Sequence, residues 1–287
     1  MKKSKNYIYL LTWLVIGFML SACEKDETEI KTDLLYEVAV EGNQVTFTVK
    51  TEGVSGYRWE FGDGQTSTDA NPTHTYPGKG KYVPTLYATV DGKPVEASTV
   101  LRIAKTTPVK LNDNTLDDWE AVATTIPLGA RKGVFNEVKM DYDGNYVYVY
   151  VDMVGKKANE DIFDFYIDSD NNPSTGLLTG TFTEGGYDIL LEGQLLAAGV
   201  DIFYHNSADQ NAFSFAQQSI SEAYQVGTIV ETGANVKFEM RIGRGKLKGL
   251  TGSGLRIAIQ AIKSDWSATL GSAPDDGTAS FRLDMSE

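Results

Sequence analysis

Apolar and polar residues alternate with a period of two through most of the chain after residue 33, a pattern that predicts strands rather than helices. "YEVAVEGNQVTFTVKT" (36–51) alternates on both sides of a turn at Glu41 to Asn43 and reads as a hairpin. In "YRWEF" (57–61), Trp59 and Phe61 fall on one face and Arg58 and Glu60 on the other. Gly62, Asp63 and Gly64 follow as a tight turn, where glycine adopts positive φ at little cost. "NEVKMDYDGNYVYVYVDM" (136–153) reads as a hairpin around Asp143, Gly144 and Asn145. It sets Tyr146, Tyr148 and Tyr150 on one face and Val147, Val149 and Val151 on the other. Further strands are predicted in "IFDFYID", "YDILLEG", "DIFYHN", "NVKFEMRIG", "LRIAIQAI" and "SFRLDM". Short strands separated by turns, with no crossover helix, predict an all-β chain of antiparallel sandwiches.

A chain of 287 residues that is 41% hydrophobic can build two modest domains with real cores. The Thr- and Pro-containing stretch "AKTTPVK" sets the boundary, giving modules at 34–105 and 106–287. Before them, residues 1–22 carry Lys2, Lys3 and Lys5, then an apolar run and small residues, the pattern of a secretory signal peptide. Cys23 is the sole cysteine, so no intramolecular disulfide is expected and the cores rest on packing, with metal as a further support. The formal charge of -13 becomes -16 once the three early lysines leave. Such a chain repels nucleic-acid phosphates and anionic lipid head groups, so no nucleic acid partner is expected; a neutral ligand or a cation fits better.

Three stretches resemble known families. "LSAC" (20–23) resembles a bacterial lipobox, which implies lipidation of Cys23. The "CEKDE" that follows, opening a linker at 23–33, resembles the export signal of Bacteroidetes lipoproteins on the outer face of the outer membrane. Residues 34–105 resemble the PKD domain through Trp59, Phe61, Gly62, Asp63, Gly64, Asn71, Pro72, His74, Tyr76, Gly80 and Tyr82. That resemblance implies an immunoglobulin-like β-sandwich serving as a spacer, with His74 and Asp63 structural rather than catalytic. "DNTLDDW" (113–119), "FYIDSDNNPSTG" (165–176) and "GGYDILLEG" (185–193) are similar to the carbohydrate-binding-module family 9 and DOMON-like sandwiches of Bacteroidetes surface lipoproteins. Here the resemblance implies a larger antiparallel β-sandwich with a glycan-binding role.

The carboxylates and amides after "IFDFY" raise the question of metal. Asp168, Asp170 and Asn172 take the first three alternate positions of a helical calcium loop, but Pro173 stands where that loop needs glycine and Thr179 where it needs glutamate. A calcium sensor is excluded. A structural Ca2+ site closed by Asp188 from the next strand remains, beside the alternative of a polar turn in which Asp and Asn bond their own backbone. For sugar, an exposed aromatic platform flanked by hydrogen-bonding side chains is required. Trp266, in a polar turn, is the first candidate, with Tyr204, His205 and Asn206 the second group and Phe213 and Tyr224 further aromatics; Trp119 reads as core.

Enzyme signatures are missing: no HExxH, no GxSxG, no phosphate-binding loop, and no cysteine nucleophile beyond Cys23. His74 and His205 lie in different modules, against a catalytic zinc. Met140, Met153 and Met240 sit at strand positions that suit core filling, against haem ligation with His205. A carboxylate pair acting on a glycosidic bond is neither supported nor excluded. The expectation is a lipid-anchored, surface-exposed outer-membrane protein that binds a polysaccharide or oligosaccharide without cleaving it. It would work in a polysaccharide-utilisation system alongside an outer-membrane glycan transporter complex. The alternatives are a structural or adhesive protein with protein-contact sandwiches, and a glycoside-active enzyme.

Overall fold

The structure, a computed structural model, describes residues 33–250 and 252–286. The expected signal peptide, the lipidation site at Cys23 and the acidic linker as far as residue 32 lie outside the described residues.

The first module is built from nine short strands: β1 (Tyr36–Glu41), β2 (Gln44–Val49), β3 (Val54–Glu60), β4 (Thr66–Ser67), β5 (Thr73–Thr75), β6 (Gly80–Tyr82), β7 (Thr85–Val90), β8 (Lys93–Ser98) and β9 (Leu101–Ile103). They form the sheets β1-β2-β5 and β4-β3-β7-β8 and the pair β6-β9. The alternation in β2 and β3 sends Val45, Phe47 and Trp59 inward, where they meet Phe61, Tyr76 and Leu86. Trp59 lies edge-on to Tyr36, with ring centroids 5.0 Å apart, and its Nε1 donates to Asp69 O at 3.1 Å. The indole thus buries its area without leaving its polar atom unpaired. Gly62, at φ +85°, passes so close to Val83 that a Cβ would sit 2.7 Å from its backbone nitrogen.

The second module begins with a 3-10 turn at Asp117–Ala121 and continues through β10 (Phe135–Tyr142), β11 (Tyr146–Val154), β12 (Ile162–Asp168), β13 (Ile189–Gly193), β14 (Asp201–His205), β15 (Phe215–Gln218), β16 (Tyr224–Thr232), β17 (Asn235–Gly243), β18 (Gly254–Ile262), β19 (Thr269–Ala273) and β20 (Phe281–Asp284). A four-stranded sheet, β10-β11-β17-β16, faces a seven-stranded one, β15-β14-β13-β12-β18-β19, with β20 also paired to β18. Every pairing is antiparallel. Val147, Val149 and Val151 of β11 pack across the gap on Phe163, Phe165 and Ile167 of β12 within one core. The tyrosine face of β11 is covered from outside by Trp119, Val109 and Val122. Trp119 is buried, and its Nε1 donates to Glu239 Oε2 at 2.9 Å. The other oxygen of that buried carboxylate accepts Thr228 N–H. β15, β16 and β19 are strands that the alternation did not single out.

The outer face of the seven-stranded sheet is covered at one end. Tyr166 and Leu190 on the sheet pack against Leu177, Phe182 and Tyr187 from the loop joining β12 to β13. β12 is therefore buried on both faces, so any carboxylate on it is held out of water.

Candidate functional site

Strand alternation turns Phe163, Phe165 and Ile167 into the sandwich core. It follows that Asp164, Tyr166 and Asp168 share the opposite face. Asp164 is 3% exposed. Its Oδ2 accepts Tyr166 O–H at 3.3 Å, and its Oδ1 has no partner. Burial first, and the charge of Glu192 second, push its carboxyl up to about 7. Glu192 stands directly opposite Asp164 on β13, and Asp201 directly opposite Glu192 on β14. Glu192 is itself raised, by burial and then by Asp201. Like charges opposite one another weaken a sheet, so this row of three carboxylates is maintained against stability. On the other side of Asp164 the row continues through Gln260 and Ser272, whose side chains bond each other at 3.2 Å.

Trp266 shares a cleft with two members of this row, Glu192 and Asp201. It sits in the hairpin between β18 and β19, where its backbone N–H donates to Lys263 O at 2.8 Å. The indole is 55% exposed, and Ile162 and Gln194 line the same cleft. Its backbone is left-handed, at φ +61°, a conformation that costs a bulky residue about 1–3 kcal/mol. A glycine there would avoid the cost, so the indole is kept at the expense of stability.

The remaining predicted residues lie at the far end of β12. Tyr204 and Ile202 face inward and pack on the sandwich core, and Tyr204 Oη accepts Lys248 N–H at 3.1 Å. The tyrosine is thus a packing residue at the rim and not a free platform. His205 faces outward, edge-on to Phe215, with Nε2 3.0 Å from Ala212 O, and Asn206 Oδ1 accepts Ser214 O–H at 2.7 Å. These two side chains tie down the loop before β15. Trp266 is not brought together with them; Tyr204 and His205 line a different cleft, shared with Asp170 and Asp188. Phe213 is exposed, and Tyr224 is spent on Val200 N–H. Glu192 and Asp201 are the residues that sequence reasoning missed. The available signal was Asp164, a carboxylate inside an otherwise apolar strand.

Of the predicted metal set, Asp168, Asp170 and Asp188 converge, each offering an oxygen within 4.8 Å of the others. Asn172 departs from the expectation: its Oδ1 accepts Ser174 N–H at 3.1 Å in a local turn. Burial and then the charge of Asp188 push Asp168 up to about 6; burial likewise raises Asp188. All three donors are carboxylates, a set suited to a hard cation and not to zinc.

Comparison with known proteins agrees with the first module. The family profile of the PKD domain matches residues 33–104. Residues 33–104 are a PKD domain. The PKD1 domain of the Vibrio cholerae metalloprotease PrtV is 35% identical over 24% of this chain and 93% of its own length, with a TM-score of 0.23. The PKD1 domain of Vibrio anguillarum Epp is 25% identical over 25% of this chain and 90% of its own, also at 0.23. Collagenase ColA of Bacillus cereus is 66% identical over 29 residues, which are 10% of this chain and 3% of the collagenase. A structure described under the promiscuous specificity of carbohydrate-binding modules from the β-sandwich superfamily aligns with 74% of this chain and 90% of its own at 15% identity, with a TM-score of 0.26.

Within the PKD domain Asp63 and His74 are locked into the structure. Asp63 Oδ2 lies 2.7 Å from His74 Nε2, and Asp63 Oδ1 accepts Gln65 N–H. The imidazole stacks flat on Phe61 at 4.0 Å. Burial alone would raise the Asp63 carboxyl, but His74 and the Gln65 N–H together hold it below its usual range. Among the described residues no helix is long and apolar enough to cross a membrane.

Proposed function

We propose that this chain is a lipid-anchored surface protein in which the PKD domain spaces a glycan-binding sandwich from the membrane. Trp266 carries the reading: a half-exposed indole on strained backbone, set in a cleft with Glu192 and Asp201. A sugar ring offers an apolar C–H face and a rim of hydroxyl donors. The indole suits the first and the carboxylates the second. A net charge of -13 disfavours anionic ligands and leaves a neutral glycan acceptable.

The "LSAC" and "CEKDE" stretches support anchoring through Cys23 and exposure on the outer membrane. Within that setting the protein captures polysaccharide or oligosaccharide without cleaving it and passes it to an outer-membrane transporter complex. Weak single-site binding suffices, because tethering concentrates many sites on one surface.

A lipid-free chain lacking residues 1–23, screened on a glycan array and by affinity electrophoresis, tests the reading. At least one neutral glycan class is expected to bind and to keep its length after incubation. Absence of retardation on every polysaccharide overturns binding, and shortened products overturn the non-catalytic role. Replacing Cys23→Ala in the full chain is expected to abolish incorporation of labelled fatty acid.

A further inference from the structure

Asp168 ends β12 and is 0% exposed, and neither of its carboxylate oxygens accepts a hydrogen bond of ordinary geometry; only the backbone N–H groups of Gly186 and Asn171 approach it. A buried, unpaired carboxylate is among the costliest groups a protein can keep. Its direct cross-strand neighbour is Arg256, whose Nη1 is engaged elsewhere. It pairs with Glu184 Oε2 at 2.6 Å and reaches Ser280 O. The ionisable groups that close on Asp168 carry the same sign: Asp170 and Asp188 each place an oxygen within 4.8 Å.

The neighbours are held as if to keep these oxygens convergent. Asp188 Oδ2 accepts both Ser169 N–H and Ser169 O–H at 3.0 Å, and Asp170 Oδ1 accepts Asn172 N–H at 2.9 Å. Neither contact supplies positive charge. In the same turn Asn171, with left-handed backbone at φ +55°, spends its Nδ2 on Gly254 O and leaves a further buried oxygen, Oδ1, unpartnered. Asp170 is exposed and lines a cleft with Asp188, which leaves an approach from solvent and room for water ligands.

We infer that Asp168, Asp170 and Asp188 bind one divalent hard cation, with Ca2+ the best match, at the corner where the β12–β13 loop leaves the sheet. Oxygen-only donors exclude the softer metals, and an open, irregular shell completed by water suits Ca2+ better than the strict octahedron of Mg2+. The ion offsets two of the three carboxylate charges and fixes the loop that covers Tyr166 and Leu190. The inference is independent of the glycan reading, because the cleft of Trp266 is a separate one.

The test uses the full chain, stripped with chelator and titrated with CaCl2 or MgCl2 in the absence of any glycan. One saturable Ca2+ site by calorimetry is expected, with the melting temperature of the second module rising by roughly 5–10 °C at hundredfold excess over Kd. Asp168→Asn removes a ligand charge and also the unpaired buried charge. The variant is therefore expected to melt, when stripped, no lower than stripped wild type and to bind Ca2+ at least ten-fold more weakly. Unchanged melting of wild type at millimolar Ca2+ overturns the site. So does an Asp168→Asn response equal to the wild-type one, and an equal response to Mg2+ overturns the Ca2+ assignment.

Discussion

Among the described residues, every buried side-chain oxygen left unpaired lies in the second module, beside satisfied groups such as Glu239. In the PKD domain the polar atoms of the core find partners inside it: Trp59 on Asp69, Tyr76 on Phe61 O, Asp63 on His74 and Gln65. In the second module Asp164, Asp168 and Asn171 keep buried oxygens unpaired. Such atoms are costly, and a stable sheet has no use for them. A domain closed on itself suits a spacer, whereas acceptors left open suit a domain whose partners arrive from outside.

The strongest way to sharpen this contrast is to remove one module and watch the other. Trp59→Ala takes the largest side chain from the PKD core and should cost about 3–5 kcal/mol. By calorimetry the PKD transition is expected to collapse while the second transition stays in place. Joint loss of both would show that the modules do not melt separately.

Next in size is Asp164→Asn. The Asp164 carboxyl is raised to about 7, above its unfolded value near 4, so the folded state binds the proton more tightly. Stability from this group is therefore greatest below about pH 4 and falls as pH rises toward 7. Above pH 7 the amide should stabilise the second module by at most about 4 kcal/mol, an advantage that disappears by pH 4. Denaturant melts of chelated protein at pH 8 and pH 4 would show it; a pH-independent difference would count against an open acceptor.

Asp63 carries the opposite sign. Its carboxyl is lowered, so its contribution is present above its unfolded pKa and lost as pH falls through the folded one. His74→Ala is expected to cost the PKD domain about 1.5–3 kcal/mol at neutral pH and to weaken its resistance to acid. Mild acid should thus favour the second module before it harms the first.

Much of the fold was legible because single-strand alternation reports burial directly. It placed Trp59 and Phe61 together, and it separated Val147, Val149 and Val151 from the tyrosines of β11. β16 was not legible: its register shifts between Val226 and Ile229, and a Cβ on the intervening Gly227 would sit 2.6 Å from Glu239 Oε1. A bulge of this kind breaks the period. The convergence of Asp168, Asp170 and Asp188 could be read along the chain because it needs only one loop and its return. The row Asp164, Glu192, Asp201 could not, since it exists only in the cross-strand register of β12, β13 and β14. Tyr204 was misread as a platform although "DIFYH" alternates; with Ile202 inward, Tyr204 must follow it.

The smallest expected change in stability accompanies the largest expected change in binding. Trp266→Gly relieves a left-handed backbone and should raise stability by about 1 kcal/mol. The decisive measurement is affinity electrophoresis of wild type and Trp266→Gly on a glycan that retards the wild type. Loss of retardation in a variant that melts no lower than wild type is the predicted result; equal retardation of the two proteins would contradict a glycan site at Trp266.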